Sequence, residues 1–312
     1  MLAEDNLDLF HHVFCLSLDG WLQLAPIGDN PQRVLDLGKW SYSRFWFSSS
    51  TPSSLSSTYH AEVYLLASRQ TASYSQPNQH SQTSVSSTHT HIHPATNNEN
   101  TGTGTGIWAI DFADAYPSAS VIATDLTPIQ PQMVPPNLEF QIDDFTQPWT
   151  FPPNHFDFVH ARSLYGCVSD YPALYHEVLQ ALEPGGWFEQ AEISVVAHSD
   201  DGSTAGTYLE KWGPLAHQCG EAFGKSFRIA EDSKGLMEKA GFENVTYRTF
   251  KWPIGPWPKD PKFKRIGAYN RLGWEDGIEG WAMFLFTNFL KVGFFLLIFA
   301  TWLCRVTTLR RC

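Results

Sequence analysis

The pattern of hydrophobic and polar positions from residue 106 onward alternates between short apolar runs and longer stretches with helical spacing. Apolar runs of this length are typical of buried strands, and Pro117 and the Pro-Gly-Gly at 184–186 mark helix ends. The predicted strands are 33–37, 119–126, 138–144, 155–162, 187–194 and 243–250, and the predicted helices are 106–117, 171–186 and 233–242. This alternation predicts an α/β fold with a doubly wound, mostly parallel, Rossmann-like sheet that binds ligands at its strand carboxyl ends.

Residues 39–101 interrupt this pattern. The segment is rich in serine, threonine and histidine, contains only Glu62 and Glu99 as acidic residues, and shows no sustained period of two or 3.6. Such a composition buries too little apolar surface to offset the entropy of ordering the chain. The sequence therefore predicts a disordered, low-complexity insert.

The position of the insert suggests how it arose. It separates "VLDLG", which ends at Gly38, from "GTGTG", which begins at Gly102, and joining the two flanks restores a continuous glycine-rich turn. Codons for Gly38 to Trp40 can contain the splice-donor sequence GTAAGT. We therefore hypothesise that residues 39–102, or the equivalent 38–101, are a translated intron.

The end of the chain is a second region that departs from the alternation of strands and helices. An apolar run at 292–304 precedes a short basic tail, and it is shorter than the roughly 20 residues that cross a bilayer. We interpret it as an accidental apolar tail rather than a membrane anchor, so any membrane contact would pass through 292–304. The predicted regions are 1–38 (N-terminal helix and first strand), 39–101 (insert), 102–291 (remainder of the domain) and 292–312 (tail).

Charge and cysteine content limit the binding partners and the cellular compartments that the protein can have. A net charge of −11 disfavours direct nucleic-acid binding. The five cysteines form no CxxC pair and no secretory signal precedes them, which indicates a reducing compartment, cytoplasmic or nuclear. The alternating histidines from His89 to His93 lack neighbouring carboxylates, so no metal site is expected.

The candidate chemistry begins at the first strand end. Asp36 is followed, across the insert, by glycines that allow a tight turn and close backbone approach to a ligand at a helix N-terminus. These glycines are Gly38 or Gly102, then Gly104 and Gly106.

Two further strand ends carry acids. Asp125 lies 19 residues after Gly106 and ends the second strand, where a carboxylate can accept hydrogen bonds from ribose hydroxyls. Asp143 and Asp144 close the third strand, where an adenine amino group is expected. A glycine turn followed by acids at successive strand ends is stronger evidence of a cofactor site than a glycine turn alone.

This set resembles the class I S-adenosylmethionine-dependent methyltransferases, and in particular a filamentous-fungal branch that includes secondary-metabolism regulators acting with velvet proteins. The resemblance rests on residues 1–38 and 102 to about 290, including "TDLTPIQPQMVPPN", "FDFVHARSL", "LEPGGWFEQAEI" and "PIGPWPKD". It implies S-adenosyl-L-methionine as cofactor and a final antiparallel strand near the chain end. That strand is missing from this sequence, so the sheet is expected to lack it.

The resemblance also implies roles for individual residues. Asp36 and the loop glycines would hold the methionine part of the cofactor, Asp125 its ribose, and Asp143 or Asp144 with Phe145 its adenine. His160, Ala161 and Arg162 would face the methyl donor. His160 is the first candidate for a catalytic base and Tyr165 the second, while the pair His11 and His12 is structural or on the acceptor side.

The expected activity is methyl transfer to an unidentified small-molecule or protein acceptor in secondary metabolism. The alternatives are a non-catalytic regulatory module that binds a partner protein, an inactive mis-spliced product, and a tail-anchored membrane protein. A nicotinamide-dependent dehydrogenase is the nearest enzymatic rival, but the GxGxG spacing differs from the GxGxxG of that class.

Overall fold

The computed structural model of the chain describes residues 3–37, 59–69 and 104–289. The helices are α1 (Ala3–Ser17), α2 (Ile107–Ala115), α3 (Tyr171–Ala181), α4 (Tyr208–Phe223), α5 (Ile229–Ala240) and α6 (Pro261–Asn288). The strands are β1 (Arg33–Asp36), β2 (Tyr59–Arg69), β3 (Ser120–Asp125), β4 (Leu138–Ile142), β5 (Phe156–Arg162), β6 (Leu182–Ser199) and β7 (Glu243–Pro253).

The strands form one sheet of seven, in the order β4-β3-β1-β5-β6-β2-β7. The first five run parallel, whereas β2 is antiparallel to both of its neighbours. Helices cover both faces: α1, α2 and α6 pack on one, and α3, α4 and α5 pack on the other. The predicted α/β fold class is confirmed.

Strand β2 corrects the prediction of a disordered insert. Residues 59–69 fall within the segment 39–101 and form an interior strand of 11 residues. In register, Leu65 lies beside Ala191 of β6 and Arg248 of β7, so both edges of β2 are paired. The expectation that the sheet lacks its interior antiparallel strand is wrong, because β2 fills the place between β6 and β7. The rest of the insert lies outside the described residues.

The physical reason is local composition. The stretch from Ala61 to Ala67 reads AEVYLLA, and its side chains are almost all apolar or aromatic. Ala61, Val63, Leu65 and Leu66 are each at most 4 % exposed. The sequence prediction used the average composition of residues 39–101, and the polar residues on both sides of this short run dominate that average. Their burial, at about 25 cal/mol per Å² of apolar surface, opposes the entropy cost of ordering the strand.

Other element boundaries differ in smaller ways. Helix α3 ends at Ala181, and β6 begins at Leu182 rather than at the predicted Trp187. Helices α4 and α6 were not predicted from the pattern. Within the described residues, no helix has the length and apolar character needed to cross a membrane. The apolar run 292–304 lies outside those residues.

Candidate functional site

The candidate site lies where the parallel strands β1, β3 and β5 end side by side. Asp36 pairs in register with Ala123 of β3 and with His160 of β5. Asp36, Asp125 and His160 are each only 2 % exposed. Since buried charged groups require partners, their contacts define what the site can hold.

The glycine turn leads directly into α2. Gly104 and Gly106 have φ angles of 65° and 76°, in the left-handed region that favours glycine. Gly106 is the N-cap of α2, and a side chain there would collide with the ring of Phe140. The turn thus brings bare backbone to the N-terminus of a helix, where the positive end of the helix dipole lies. Gly38 and Gly102 lie outside the described residues.

Asp125 fixes this turn. Its Oδ2 accepts a hydrogen bond from the Gly104 amide, and its Oδ1 accepts one from the Thr127 amide at 2.7 Å. The Gln130 side-chain amide donates to the Gly104 carbonyl at 2.7 Å. A buried carboxylate at a strand end, beside a glycine turn and a helix N-terminus, is the arrangement expected of a ribose-binding acid.

Both acids after β4 accept a backbone amide of their own turn, and Asp143 Oδ1 accepts from the Asp144 amide at 2.8 Å. Asp144 Oδ1 accepts from the Thr146 amide at 3.0 Å and from the Thr146 hydroxyl at 2.6 Å, so this side chain stabilises its own turn. The amide of Asp143 donates to the carbonyl of Asp125 at 3.1 Å, which ties Asp143 to the neighbouring strand end. Phe145 is 5 % exposed and belongs to the hydrophobic core.

His160 is held on two sides. Its Nδ1 lies 3.0 Å from Asp36 Oδ1, and its ring lies parallel to that of Trp108 with centroids 3.7 Å apart. Burial lowers the pKa of His160, while the adjacent Asp36 opposes that shift. The neutral ring with Nδ1 protonated then donates to Asp36. This contact holds the His160 ring and the Asp36 carboxylate in a fixed mutual orientation.

Arg162 connects the end of β5 to helix α1. Its Nη1 lies 3.1 Å from His11 Nδ1, and its guanidinium carbon lies 5.0 Å from the centroid of the Phe14 ring. Arginine only donates hydrogen bonds, so His11 Nδ1 is the acceptor and His11 Nε2 carries the proton. That Nε2 lies 2.9 Å from Asp111 Oδ2 on α2. Among the described residues, no group of three or more histidine, cysteine and acidic side chains is arranged to hold a metal ion.

A small cavity lies beside these residues, between α1 and the sheet. His11, His160 and Arg162 line it together with Trp108, Leu65 and Glu189. Glu189 is fully buried on β6, and its Oε2 accepts from the amides of Leu24 and Ala25 at 2.7 and 2.6 Å. Burial raises its pKa to about 7, against the opposing effect of those two amides.

Tyr165 lies apart from this cavity. Its amide donates to Glu192 Oε2 at 3.3 Å, and its ring centroid lies 5.9 Å from that of Phe227. Glu192 is buried, and burial raises its pKa to about 7. The structure thus brings together Asp36, His160 and Arg162 but not Tyr165.

Sequence reasoning missed Glu189 and Trp108 as site residues. One available signal was the charge of Glu189 and Glu192 within an otherwise buried strand, since buried carboxylates require specific partners. No comparable signal pointed to Trp108, because an aromatic residue on a helix is usually part of the core.

Comparison with known proteins gives a consistent result. Residues 100–247 match the family model described as a methyltransferase domain. The methyltransferase pytC of Aspergillus terreus is 34 % identical over 186 residues, which cover 59 % of this chain and 57 % of that protein. The secondary metabolism regulator LAE1 of Cochliobolus heterostrophus is 38 % identical over 177 residues, which cover 55 % of this chain and 57 % of that protein. The secondary metabolism regulator laeA of Aspergillus niger is 35 % identical over 175 residues, which cover 55 % of this chain and 47 % of that protein.

The chain spans about half the length of the curated relatives it matches. A solved complex of the Haloferax volcanii Trm112 methyltransferase activator with a methyltransferase matches at 19 % identity and a TM-score of 0.31, over 45 % of this chain and 57 % of that one.

Residues 100–247 are thus similar to methyltransferase domains, and the sheet that contains them is a mostly parallel α/β sheet. The chain is also similar in sequence to filamentous-fungal secondary-metabolism regulators and to pytC.

Proposed function

We propose that this domain binds S-adenosyl-L-methionine and transfers its methyl group to an acceptor. The observation that carries the proposal is Asp125, a buried carboxylate bonded to a positive-φ glycine turn at the start of α2. The match of residues 100–247 to a methyltransferase family model supports it.

Residues at the strand ends would hold the cofactor in three parts. Asp36 and the loop glycines hold the methionine portion, and Asp125 accepts from the ribose hydroxyls. Asp143 or Asp144 accepts from the adenine amino group, although both carboxylates also accept a backbone amide of their own turn. Phe145 contributes to the apolar side of the adenine region. The proposed cofactor-binding residues are Asp36, Gly38, Gly102, Gly104, Gly106, Asp125, Asp143, Asp144, Phe145, His160 and Arg162.

The acidic character of this edge suits the ligand. S-adenosylmethionine carries a sulfonium cation, and it supplies a methyl group activated by that charge. The chain contributes alignment of the two reactants and exclusion of water, which are the main requirements of an in-line displacement. The contact between His160 and Asp36 fixes the orientation of both side chains. Of the two candidate bases, His160 lies at the cavity and Tyr165 does not.

The acceptor is a small molecule or a protein, in secondary metabolism, and the compartment is the cytoplasm or nucleus. A second function is a regulatory module that binds a partner protein, with or without the cofactor. The observation that favours it is that two of the relatives described above are named as regulators.

Titration calorimetry with S-adenosylmethionine tests cofactor binding. Asp125→Asn removes the charge and the second acceptor oxygen, so we expect the Kd to rise at least tenfold, equivalent to about 1.4 kcal/mol. Asp114→Asn, an exposed position on α2, is the matched control and leaves the Kd unchanged. Absence of binding by the unaltered chain would favour the inactive, mis-spliced alternative.

Transfer of labelled methyl then separates the two functions that include the cofactor. Incubation with a fungal metabolite extract and, separately, with fungal protein shows which acceptor class gains label. Cofactor binding without any labelled product supports the regulatory module.

A further inference from the structure

The segment that leads into α6 is basic, although the chain as a whole is acidic. Residues 257–265 read WPKDPKFKR and hold four cationic side chains and one acidic one, whereas the whole chain has 21 Lys and Arg against 32 Asp and Glu. The candidate site makes no use of this segment. A local excess of positive charge on an acidic chain indicates a surface that faces a negatively charged partner.

Two hydrogen bonds hold this segment against the first turns of α6. The Gly255 amide donates to the Gly267 carbonyl at 3.1 Å, and Asp260 Oδ1 accepts from the Phe263 amide at 3.1 Å. Trp257 lies between these two anchors along the chain, so its Cα is within about 11 Å of the Cα of each anchor residue, Gly255 and Asp260. The side chains of the segment and of the first turns of α6 therefore belong to one surface.

The turn after α1 adjoins the same end of α6. Lys262 Nζ lies 2.6 Å from Asp19 Oδ1 and donates to the Ser17 carbonyl at 3.3 Å. Trp21 follows Asp19 by two residues, so their Cα atoms are at most about 7 Å apart. Trp21 thus lies beside the start of α6.

Three large aromatic side chains are exposed at this end of α6. Trp21 is 64 % exposed, Trp257 40 % and Phe263 41 %. They are three of the six large hydrophobic side chains that are exposed in the described part of the chain. Exposed apolar side chains that gather in one place are typical of a protein interface, and tryptophan is prominent among the residues that dominate binding energy.

The cations beside these rings are available to a partner. Lys259, Lys264 and Arg265 are exposed, and none of them forms an ion pair with another residue of the described ranges. Lys262, by contrast, is paired with Asp19. The surface therefore offers three unpaired positive charges next to three exposed rings.

The small extent of this surface selects the kind of partner. A nucleic acid or an anionic membrane would extend beyond three cations and meet the rest of a chain whose net charge is −11. A short acidic protein segment meets only the cations, since charge interactions are screened over about 8 Å at physiological ionic strength. Apolar side chains in that segment would cover the rings.

We propose that this surface, the docking corner, binds an acidic segment of a partner protein that also carries apolar side chains. Carboxylates of the segment pair with the cations, and the aromatic rings bury its apolar side chains. The proposal goes beyond the proposed function, because it rests on neither cofactor binding nor methyl transfer. The docking corner consists of Trp21, Trp257, Lys259, Phe263, Lys264 and Arg265.

Three fluorescein-labelled synthetic peptides test the two requirements. The peptide EELFEDLE carries acidic and apolar side chains, QQLFQNLQ lacks the charge, and EEAAEDAE lacks the large apolar groups. Fluorescence anisotropy with the full chain measures each Kd. We expect EELFEDLE to bind at least about tenfold more tightly than either of the other peptides, because each of them loses one kind of contact.

Variants of the protein test where the peptide binds. Lys264→Glu and Trp257→Ala each alter an exposed side chain of the docking corner, and we expect each to raise the Kd for EELFEDLE at least about tenfold. Lys239→Glu on α5 makes the same change in net charge at another exposed position, and Met133→Ala truncates another exposed apolar side chain. Both controls should leave the Kd unchanged.

Four results would overturn the proposal. They are no saturable binding of EELFEDLE, equal affinity for the three peptides, an unchanged Kd in both docking-corner variants, and an equal loss of affinity in Lys239→Glu and Lys264→Glu. Tighter binding of a DNA duplex or of phosphatidylserine vesicles than of EELFEDLE would also overturn it, because the ligand would then be an extended polyanion. None of these results bears on cofactor binding, which calorimetry measures separately.

Discussion

The parallel and antiparallel halves of the sheet are built from the chain in different ways. In the parallel half, β4-β3-β1-β5-β6, a helix precedes β3 and another separates β5 from β6, and the carboxyl ends of β1, β3 and β5 form the candidate site. In the antiparallel half, β6-β2-β7, the interior strand comes from a segment that precedes β3 in the chain. The same insert that divides the glycine turn thus completes the sheet.

This difference separates a gene-level hypothesis from a structural one. If residues 39–102 are a translated intron, the mature protein has a continuous glycine turn but no β2 from this segment. If β2 belongs to the protein, the insert has a structural role. Sequencing the mature transcript across the codons for Gly38 and Gly102 decides which chain the cell makes.

The largest expected effect is that of deleting residues 39–102. Strands β6 and β7 then lose their common partner, and buried backbone groups on both become unpaired. We expect loss of the cooperative unfolding transition, because the free energy of unfolding of a domain is only about 5–15 kcal/mol. Urea unfolding followed by circular dichroism is the measurement.

Deletion of residues 74–98 alone is the control for that experiment, because it shortens the insert and retains β2. A 39–102 deletion that unfolds at the same urea concentration as the full chain would show that β2 adds no stability.

Single core substitutions compare the two halves more sharply. Leu66 of β2 and Leu35 of β1 are both fully buried. Each change to alanine removes the same atoms, so we expect each to lower the free energy of unfolding by about 2–5 kcal/mol. Equal losses measured by urea denaturation would mean that β2 packs as firmly as β1, whereas a loss near zero for Leu66→Ala alone would contradict its interior position.

Strand β6 belongs to both halves, and its buried glutamates make stability depend on pH. Burial raises the pKa of Glu192 from 4.5 to about 7, so the folded protein binds this proton more tightly than the unfolded chain. The free energy of unfolding therefore falls as the pH rises from about 4.5 to about 7, by about 3 kcal/mol for this group.

Glu192→Gln removes that contribution. Urea denaturation at a series of pH values should show a shallower decline for the variant over this range. Parallel curves for the variant and the unaltered chain would mean that Glu192 titrates at its ordinary pKa.

The smallest expected effect concerns a helix that covers the sheet. The Asp170 side chain accepts from the Ala173 amide at 3.0 Å and caps α3. Asp170→Ala should lower the free energy of unfolding by about 1 kcal/mol, and Asp170→Ser should recover most of it. Thermal denaturation of the two variants tests this order.

The parallel half was predictable because its signals are local. Asp36 and Asp125 end apolar runs, and parallel strands bring such ends to one edge whatever lies between them. The position of Glu189 against Leu24 and Ala25 depends on contacts across about 165 residues, which no local pattern contains. Strand β2 was missed for a different reason, since averaging over a long polar segment concealed seven apolar or aromatic positions.

The position of β2 in the chain also determines how long this strand remains unpaired during synthesis. Leu66 pairs with Gln190 of β6, which leaves the ribosome 124 residues later. At a synthesis rate of about 5–20 residues per second, β2 is therefore made roughly 6–25 s before its first partner strand. Because Tyr247 of β7 follows later still, β2 has two edges open to other chains throughout that interval. Early binding by a chaperone would therefore affect the yield of this protein more than the stability of its finished fold.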